Sequence, residues 1–396
     1  LNGRIQDTNT RAIARLLVAH GLLPERAMTI ADDPAAIRET LVFLASRCRF
    51  VVVSGGLGPT ADDLTTTAAA EAFHRPLRLN PEAYGMVSAF FRGLGREMSA
   101  RQEKQAWLPD GSTVLPNPKG SAPGFAFQER DCLFAFLPGV PQEMEGMMRA
   151  SVLPRMLEAF PQARGFRQKS FTLFGLPESE AEVRLEQLGL PDRIGVAFCV
   201  NFPLVEVRLS VAEEREEPLL KEAALQVRNL YGDHLVAEED QTLAGEVARL
   251  LIGAGKTLAL AESCTGGWIA KTLTDIAGSS AFLERGAVTY ANSAKRDWLG
   301  VSDAVLNGAG AVSAECALAM GRGMRKAAAS HIALAVTGIA GPAGGSEAKP
   351  VGTVFIALIS ETEEQVNRYQ FPGDRERVRW RAVCTALDLL RRHLLK

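Results

Sequence analysis

The sequence predicts an α/β fold: two α/β/α layered domains joined by a small α+β domain. Three observations carry that prediction. Short apolar runs such as Phe50-Val51-Val52-Val53 and Thr257-Leu258-Ala259-Leu260 run into loops rich in Gly, Ser and Thr, with helical patterns beyond them, as buried strands of a layered sheet do. Between these segments the pattern changes to strict alternation, with Val205, Val207 and Leu209 set against Glu206, Arg208 and Ser210, the mark of a half-exposed antiparallel strand. A length of 396 residues accommodates two or three domains of roughly 100–200 residues each.

Composition narrows the class. Apolar residues make up 47% and charged residues 23% of the chain, as in ordinary soluble globular proteins. A net charge of −2 provides no basic field for nucleic acid. The longest apolar runs, such as Val351 to Ile359, fall far short of the roughly 20 residues that span a bilayer, and no signal peptide is visible. Six scattered cysteines without a C-x-x-C pair argue against a zinc site or a disulfide framework and for a reducing, cytoplasmic compartment.

The first segment, residues 1–166, enters at Leu1-Asn2-Gly3-Arg4 directly into loop-like sequence, so an opening strand is expected to be missing. Ala12, Ile13, Leu16 and Leu17 mark a helical face, and strands are predicted at Phe50–Val53 and Leu133–Leu137. After the first of these comes Gly55-Gly56-Leu57-Gly58-Pro59-Thr60-Ala61-Asp62-Asp63. Glycines admit close approach of a phosphate, and Asp62 and Asp63 are candidate oxygen ligands for a divalent cation. The plain alternative for paired aspartates at this place is an N-cap beside a helix dipole. Gly55, Gly56, Gly58 and Thr60 would line the pocket.

The second segment, residues 167–240, reads as strand (Ser170 to Phe174), helix (Ser179 to Leu188), strand (Ile194 to Cys199), strand (Leu204 to Val211) and helix (Pro218 to Tyr231). Nothing in it has catalytic character.

The third segment, residues 241–396, returns to the α/β pattern. Strands are predicted at Thr257–Ala261, Gly286–Tyr290, Ile332–Val336 and Val351–Ile359, before a last helix bearing Val378, Ala382, Leu387, Leu390 and Leu394. The most informative stretch is Ala261-Glu262-Ser263-Cys264-Thr265-Gly266-Gly267. A hydroxyl at a strand-to-helix turn is exposed as a nucleophile beside free backbone N–H groups. The same residues would also serve as a simple helix cap. The loops Val288-Thr289-Tyr290 to Lys295, Gly310-Ala311-Val312-Ser313 and Thr337-Gly338-Ile339-Ala340-Gly341 should gather at one edge of a parallel sheet and suit a phosphate and a ribose.

Serine needs a base. His331 precedes a strand, on the side opposite the expected site, and His393 lies near the chain end, so a Ser–His pair is not expected. Lys295 is the available base: desolvation and a helix N-terminus both weaken a lysine's hold on its proton. Standing alone, Lys295 would read as a solvated lysine. Cys264 is the competing nucleophile and ranks below Ser263, because such a cysteine is most often buried and structural.

These motifs, with Lys349-Pro350-Val351-Gly352-Thr353-Val354 and Phe371-Pro372-Gly373-Asp374-Arg375, resemble the CinA C-terminal domain. The resemblance implies a nicotinamide mononucleotide amidase of Ser/Lys type that needs no cofactor and releases nicotinate mononucleotide and ammonia, a step of pyridine nucleotide recycling. Carried over, Ser263 is the nucleophile, Lys295 the base and Tyr290 a catalytic pocket residue. Thr265, Gly266, Gly267, Thr337, Gly338 and Gly341 bind substrate. The first segment resembles the molybdopterin-binding-like domain of long CinA proteins, which implies a metal-dependent ADP-ribose pyrophosphatase. The family's opening strand and Gly-Thr-Glu-Leu-Leu loop are not in this sequence, which puts that activity in doubt. The second segment resembles the family's KH-like connector, but a chain that is not basic is not expected to bind RNA. A homodimer is expected, with small nucleotides as ligands and neither nucleic acid nor membrane as partner. The competing expectation is a nucleotide-binding or competence-related protein without catalysis. Molybdopterin handling is a weaker one that rests on fold analogy alone.

Overall fold

The computed structural model describes residues 7–161 and 166–396. The expected loop-like opening at Leu1-Asn2-Gly3-Arg4 lies outside the described residues. The chain forms two compact units: Leu1–Arg167 with Ala212–Glu216, and Gln168–Val211 with Glu217–Lys396.

In the first unit the strands are β1 (Phe50–Ser54), β2 (Leu77–Leu79), β3 (Trp107–Pro109), β4 (Thr113–Leu115), β5 (Gly124–Glu129) and β6 (Cys132–Leu137). The main sheet has the order β1-β6-β5-β4, and β2 pairs separately with β3. β1 runs parallel to β6, whereas β5 is antiparallel to both β6 and β4. The period of two along a strand sends neighbouring side chains to opposite faces. Phe125, Phe127, Phe134 and Phe136 pack with Ile37, Leu41 and Ala68, while Ala126, Ala135 and Leu137 pack with Leu16, Leu17 and Met144. Helices Pro34–Ala45 and Thr65–Ala72 thus cover one face and Thr8–Val18 and Pro141–Met147 the other, giving three layers. Asp7 and Asp33 cap the first two helices by accepting from Thr10 N and Ala36 N.

The second unit opens with β7 (Arg167–Phe174), β8 (Gly195–Asn201), β9 (Leu204–Val211) and β10 (Leu235–Glu238), in sheet order β10-β7-β9-β8. β8 and β9 form an antiparallel hairpin. Val205, Val207, Leu209 and Val211 of β9 are buried against helices Glu178–Glu186 and Glu217–Tyr231, and the Tyr231 hydroxyl donates to Ala181 O at 2.7 Å. At the hairpin tip Phe202 meets the last helix of the chain, where Trp380 Nε1 donates to Phe202 O at 2.9 Å.

The same unit continues with β11 (Leu258–Glu262), β12 (Leu283–Val288), β13 (Ile332–Gly338), β14 (Thr353–Ile359) and β15 (Glu364–Gln370), in order β12-β11-β13-β14-β15. The expected parallel sheet is corrected here. β12, β11 and β13 are parallel, but β14 is antiparallel to β13 and β15 to β14. The start of β14, rather than its end, therefore stands beside the end of β13: Ile339 N donates to Thr353 O and Gly352 N to Ile339 O. Large and small residues alternate along the central strands. Leu258, Leu260, Leu334, Ile356 and Leu358 face helices Leu243–Gly253 and Arg375–Leu394, whereas Ala259, Ala261, Ala333, Ala335 and Ala357 form a shallow face that admits helix Ala314–Ala328 closely. Among the described residues no helix is long and apolar enough to cross a membrane, and the six cysteines are free thiols.

Candidate active site

The turn that carries Ser263 begins where β11 stops. Ser263 N donates to Val336 O at 2.9 Å, extending the β13 pairing by one residue, and Gly266 N closes the turn on Ser263 O at 3.1 Å. Gly266 (φ +63°) and Gly267 (φ +87°) take the left-handed conformation that a side chain would strain. The helix Trp268–Thr274 follows at once. Glu262, buried at the end of β11, accepts from Ile269 N at 3.1 Å and Ala270 N at 2.8 Å. A carboxylate from the strand thus satisfies donors at the start of the helix.

Lys295 lies in the helix Asn292–Leu299 and is only 1% exposed. Its Nζ is 3.1 Å from Ser263 Oγ, 2.8 Å from Thr289 O and 3.0 Å from Tyr290 O. Among the described residues it makes no ion pair. Burial draws its pKa below the ordinary lysine value, against smaller opposing effects from Cys316 and Cys264. Nζ thus has three oxygen neighbours, two carbonyls that can only accept and one hydroxyl that can either accept from the amine or, once the amine has lost a proton, donate to it. Burial pushes the Cys264 thiol up to about 12, which keeps it protonated and weak as a nucleophile.

The other expected residues divide by role. Tyr290 contributes its carbonyl to Lys295, while its side chain is 61% exposed and its hydroxyl accepts from Arg375 Nη2 at 3.3 Å. Arg375 also donates to Gly341 O at 2.7 Å, so it joins two of the expected loops. The Thr337 hydroxyl is taken up by Ala311 O at 2.7 Å, which ties the Gly310-Ala311 loop to the end of β13. Gly338 backs onto the start of β14, where a Cβ would stand 2.7 Å from Thr353 O. Gly341 has φ +82° and leaves no room beside Val351. Thr265 and Thr289 are fully buried, and among the described residues neither hydroxyl has a hydrogen-bond partner. Sequence reasoning missed Glu262 as a cap and missed Arg379, which donates from Nε to Cys264 O at 3.1 Å and from Nη2 to Thr265 O at 2.7 Å.

In the first unit Gly55 (φ +106°) and Gly56 (φ +69°) make the turn after β1, and a Cβ on Gly56 would collide with Thr65. Ser54, Gly55, Thr65 and Gly139 line one end of a cavity of about 990 Å³ whose apolar wall includes Leu17 and Val51. Asp62 and Asp63 are not in its lining. Gly58 and Thr60 belong instead to a closed turn. The Thr60 hydroxyl touches Asp62 Oδ1 and lies 2.6 Å from Asp63 Oδ2, while Thr60 N donates to Asp63 Oδ2 at 2.8 Å. The hydrogen bond from Thr60 holds Asp62 below the usual carboxylate range. Lys104 Nζ donates to the carbonyls of Thr60 and Asp63, both at 2.8 Å. Among the described residues no group of three or more His, Cys, Asp or Glu could hold a metal ion.

Fold and site together define a multi-module α/β protein with a buried Ser–Lys pair at a strand-to-helix turn. Residues 240–394 match the family described as "CinA C-terminal domain" and residues 1–158 the family described as "Probable molybdopterin binding domain". The chain is 47% identical over 394 residues to a CinA-like protein of Syntrophotalea carbinolica, covering all of this chain and 96% of that one. It is 48% identical over 402 residues to a CinA-like protein of Geobacter metallireducens, covering all of this chain and 97% of the relative. This chain belongs to the CinA-like protein family. A crystal structure of a Competence-Damaged Protein (CinA) superfamily protein from Klebsiella pneumoniae is 40% identical, covering 39% of this chain and 96% of that one, with a TM-score of 0.38.

Proposed function

We propose that the protein hydrolyses the carboxamide of nicotinamide mononucleotide to nicotinate mononucleotide and ammonia. The observation that carries this reading is the buried Lys295 amine 3.1 Å from Ser263 Oγ, with no ion-pair partner among the described residues. Burial eases a lysine's loss of its proton and so makes it available as a base, and a serine beside it is a nucleophile. Ser263 Oγ attacks the carboxamide carbon as its proton passes to Lys295 Nζ. The carbonyl electron pair moves onto oxygen, where backbone N–H groups of the turn stabilise the charge. Collapse breaks the C–N bond, and Lys295 returns the proton to the departing nitrogen as ammonia. Water then attacks the acyl-serine ester and gives a proton to Lys295, which passes it to Ser263 Oγ as the ester breaks. Neither step calls for a metal or an organic cofactor. The glycine-rich loops at Gly266, Gly267, Gly338 and Gly341 provide backbone at close range for the nucleotide's phosphate and ribose.

Ammonia release from nicotinamide mononucleotide by the full chain is the test. Stoichiometric nicotinate mononucleotide is the expected product. Binding of the nucleotide without turnover would replace the amidase reading with a nucleotide-binding one.

A further inference from the structure

We propose that Arg379 is a positioning residue that presets the oxyanion-binding backbone of the nucleophile turn. The inference rests on the Ser/Lys hydrolase reading of Ser263, and it concerns how the turn is held rather than which amide is cleaved. Arg379 lies on the last helix, Arg375–Leu394, more than a hundred residues from the turn in sequence. Its guanidinium spans two consecutive carbonyls, Cys264 O at 3.1 Å and Thr265 O at 2.7 Å, and sits 5.2 Å over the ring of Trp268 at the start of the following helix. The planar fork and the ring fix the guanidinium in one plane, which a lysine would not do.

The consequence follows from peptide planarity. In a trans peptide the N–H of one residue points opposite to the C=O of the residue before it. Holding Cys264 O on Arg379 therefore turns Thr265 N–H away from the last helix. Holding Thr265 O likewise fixes Gly266 N–H, which closes the turn on Ser263 O at 3.1 Å. Among the described residues the Thr265 N–H makes no hydrogen bond to another residue, and the Cys264 N–H meets only its own thiol. The residue after a nucleophilic serine commonly supplies an oxyanion-hole donor; here that is the Cys264 N–H, on the peptide whose carbonyl, Ser263 O, is held by Gly266 N. Without Arg379 the Cys264–Thr265 and Thr265–Gly266 peptides lose this hold, and with them the Gly266 N–H that fixes Ser263 O; rotation of a turn peptide would then bring a carbonyl oxygen toward the place where negative charge develops. Gly266 fits the same device, since a Cβ there would stand 3.1 Å from Arg379 Nη2.

The test uses a fluorophosphonate on the full chain. Ser263 Oγ bonds to phosphorus, fluoride leaves, the hydroxyl proton goes to Lys295, and the phosphoryl oxygen occupies the oxyanion position. Labelling of Ser263 is followed by mass spectrometry in wild type, Arg379→Met and Arg379→Lys. Loss of preset donors should slow labelling by about 10- to 100-fold, below the 10²–10³ for deleting a donor outright. The pH midpoint of labelling, which Lys295 sets, should not move. Amidase kcat should fall by a similar factor with KM little changed. Arg379→Lys keeps the charge and the stem over Trp268 but not the fork, so it tests the same two bonds where Arg379→Met does not fold. Wild-type labelling in either folded variant overturns the proposal, as does a shifted pH midpoint. Slowed labelling in a protein whose wild type releases no ammonia would sink the amidase reading and leave this inference standing.

Discussion

The backbone of Gly323 presses on Leu299 so closely that a Cβ at Gly323 would overlap the Leu299 carbonyl. Leu299 ends the helix that carries Lys295, and Gly323 lies on the helix seated against the alanine face of the sheet. The distance between Lys295 and Ser263 thus depends on a residue without a side chain.

Gly323→Ala should push the Lys295 helix outward. Overpacking against backbone costs about 1–3 kcal/mol, a fall in Tm of about 2–4 °C per kcal/mol for a unit of this size. Thermal melts check the stability loss, and ammonia release should fall with it.

Ser263→Ala should abolish ammonia release, a loss on the order of 10³ or more, with the fold unchanged by circular dichroism. Cys264→Ala should stay close to wild type, because that thiol is held protonated by burial. Near-native turnover in Ser263→Ala would shift the nucleophile elsewhere.

On the Ser/Lys reading, Lys295 sets the pH dependence. It acts as a base only when neutral, so the rate should rise with pH along a limb whose midpoint lies below the ordinary lysine value. Lys295→Arg should be nearly inactive, because guanidinium keeps its proton throughout. Stability carries the same sign. A lysine whose pKa is lowered on folding binds fewer protons in the folded than in the unfolded state between the two pKa values. The stability of wild type relative to Lys295→Met should therefore climb across that window as pH rises, and denaturant titrations at a series of pH values read the slope.

Glu262→Ala should strip the cap from the helix after the nucleophile turn. It leaves the N–H groups of Ile269 and Ala270 buried without acceptors, a cost of about 1–3 kcal/mol. Glu262→Gln should recover part of this, since one oxygen still accepts. Thermal melts of the three proteins order as wild type, Gln, Ala.

Asp62→Ala combined with Asp63→Ala should leave ammonia release unchanged, because these residues and Ser263 belong to separate compact units. A chelator should likewise have no effect on that rate, since Ser263 and Lys295 supply nucleophile and base. ADP-ribose hydrolysis with and without added divalent metal, in wild type and the double variant, measures what the turn does on its own.

The close pairing of Ser263 with Lys295 could be anticipated from the sequence because each lies in a local signal: a serine after an apolar strand, a lysine just inside a helix. The direction of β14 could not, because an apolar run buried on both faces reads the same either way. β15 escaped because Glu-Gln-Val-Asn-Arg-Tyr-Gln has the polarity of an edge strand and no clean alternation. Tyr290 was expected as a pocket residue; its carbonyl meets Lys295 and its hydroxyl meets Arg375. Arg379 carries no local signal at all. Its two acceptors lie 114 and 115 residues away, and only the packing of the last helix brings them together.

The stack of Trp268 on Trp380, with ring centroids 5.1 Å apart and planes 25° from parallel, has an optical consequence. Two indoles so placed couple their electronic transitions and give a paired circular-dichroism band of opposite signs. One indole begins the helix after Ser263, and the other donates its N–H to the hairpin tip at Phe202. Loosening of the nucleophile turn and unseating of the hairpin would both collapse that band. The protein therefore carries a label-free spectroscopic gauge that can be followed during turnover.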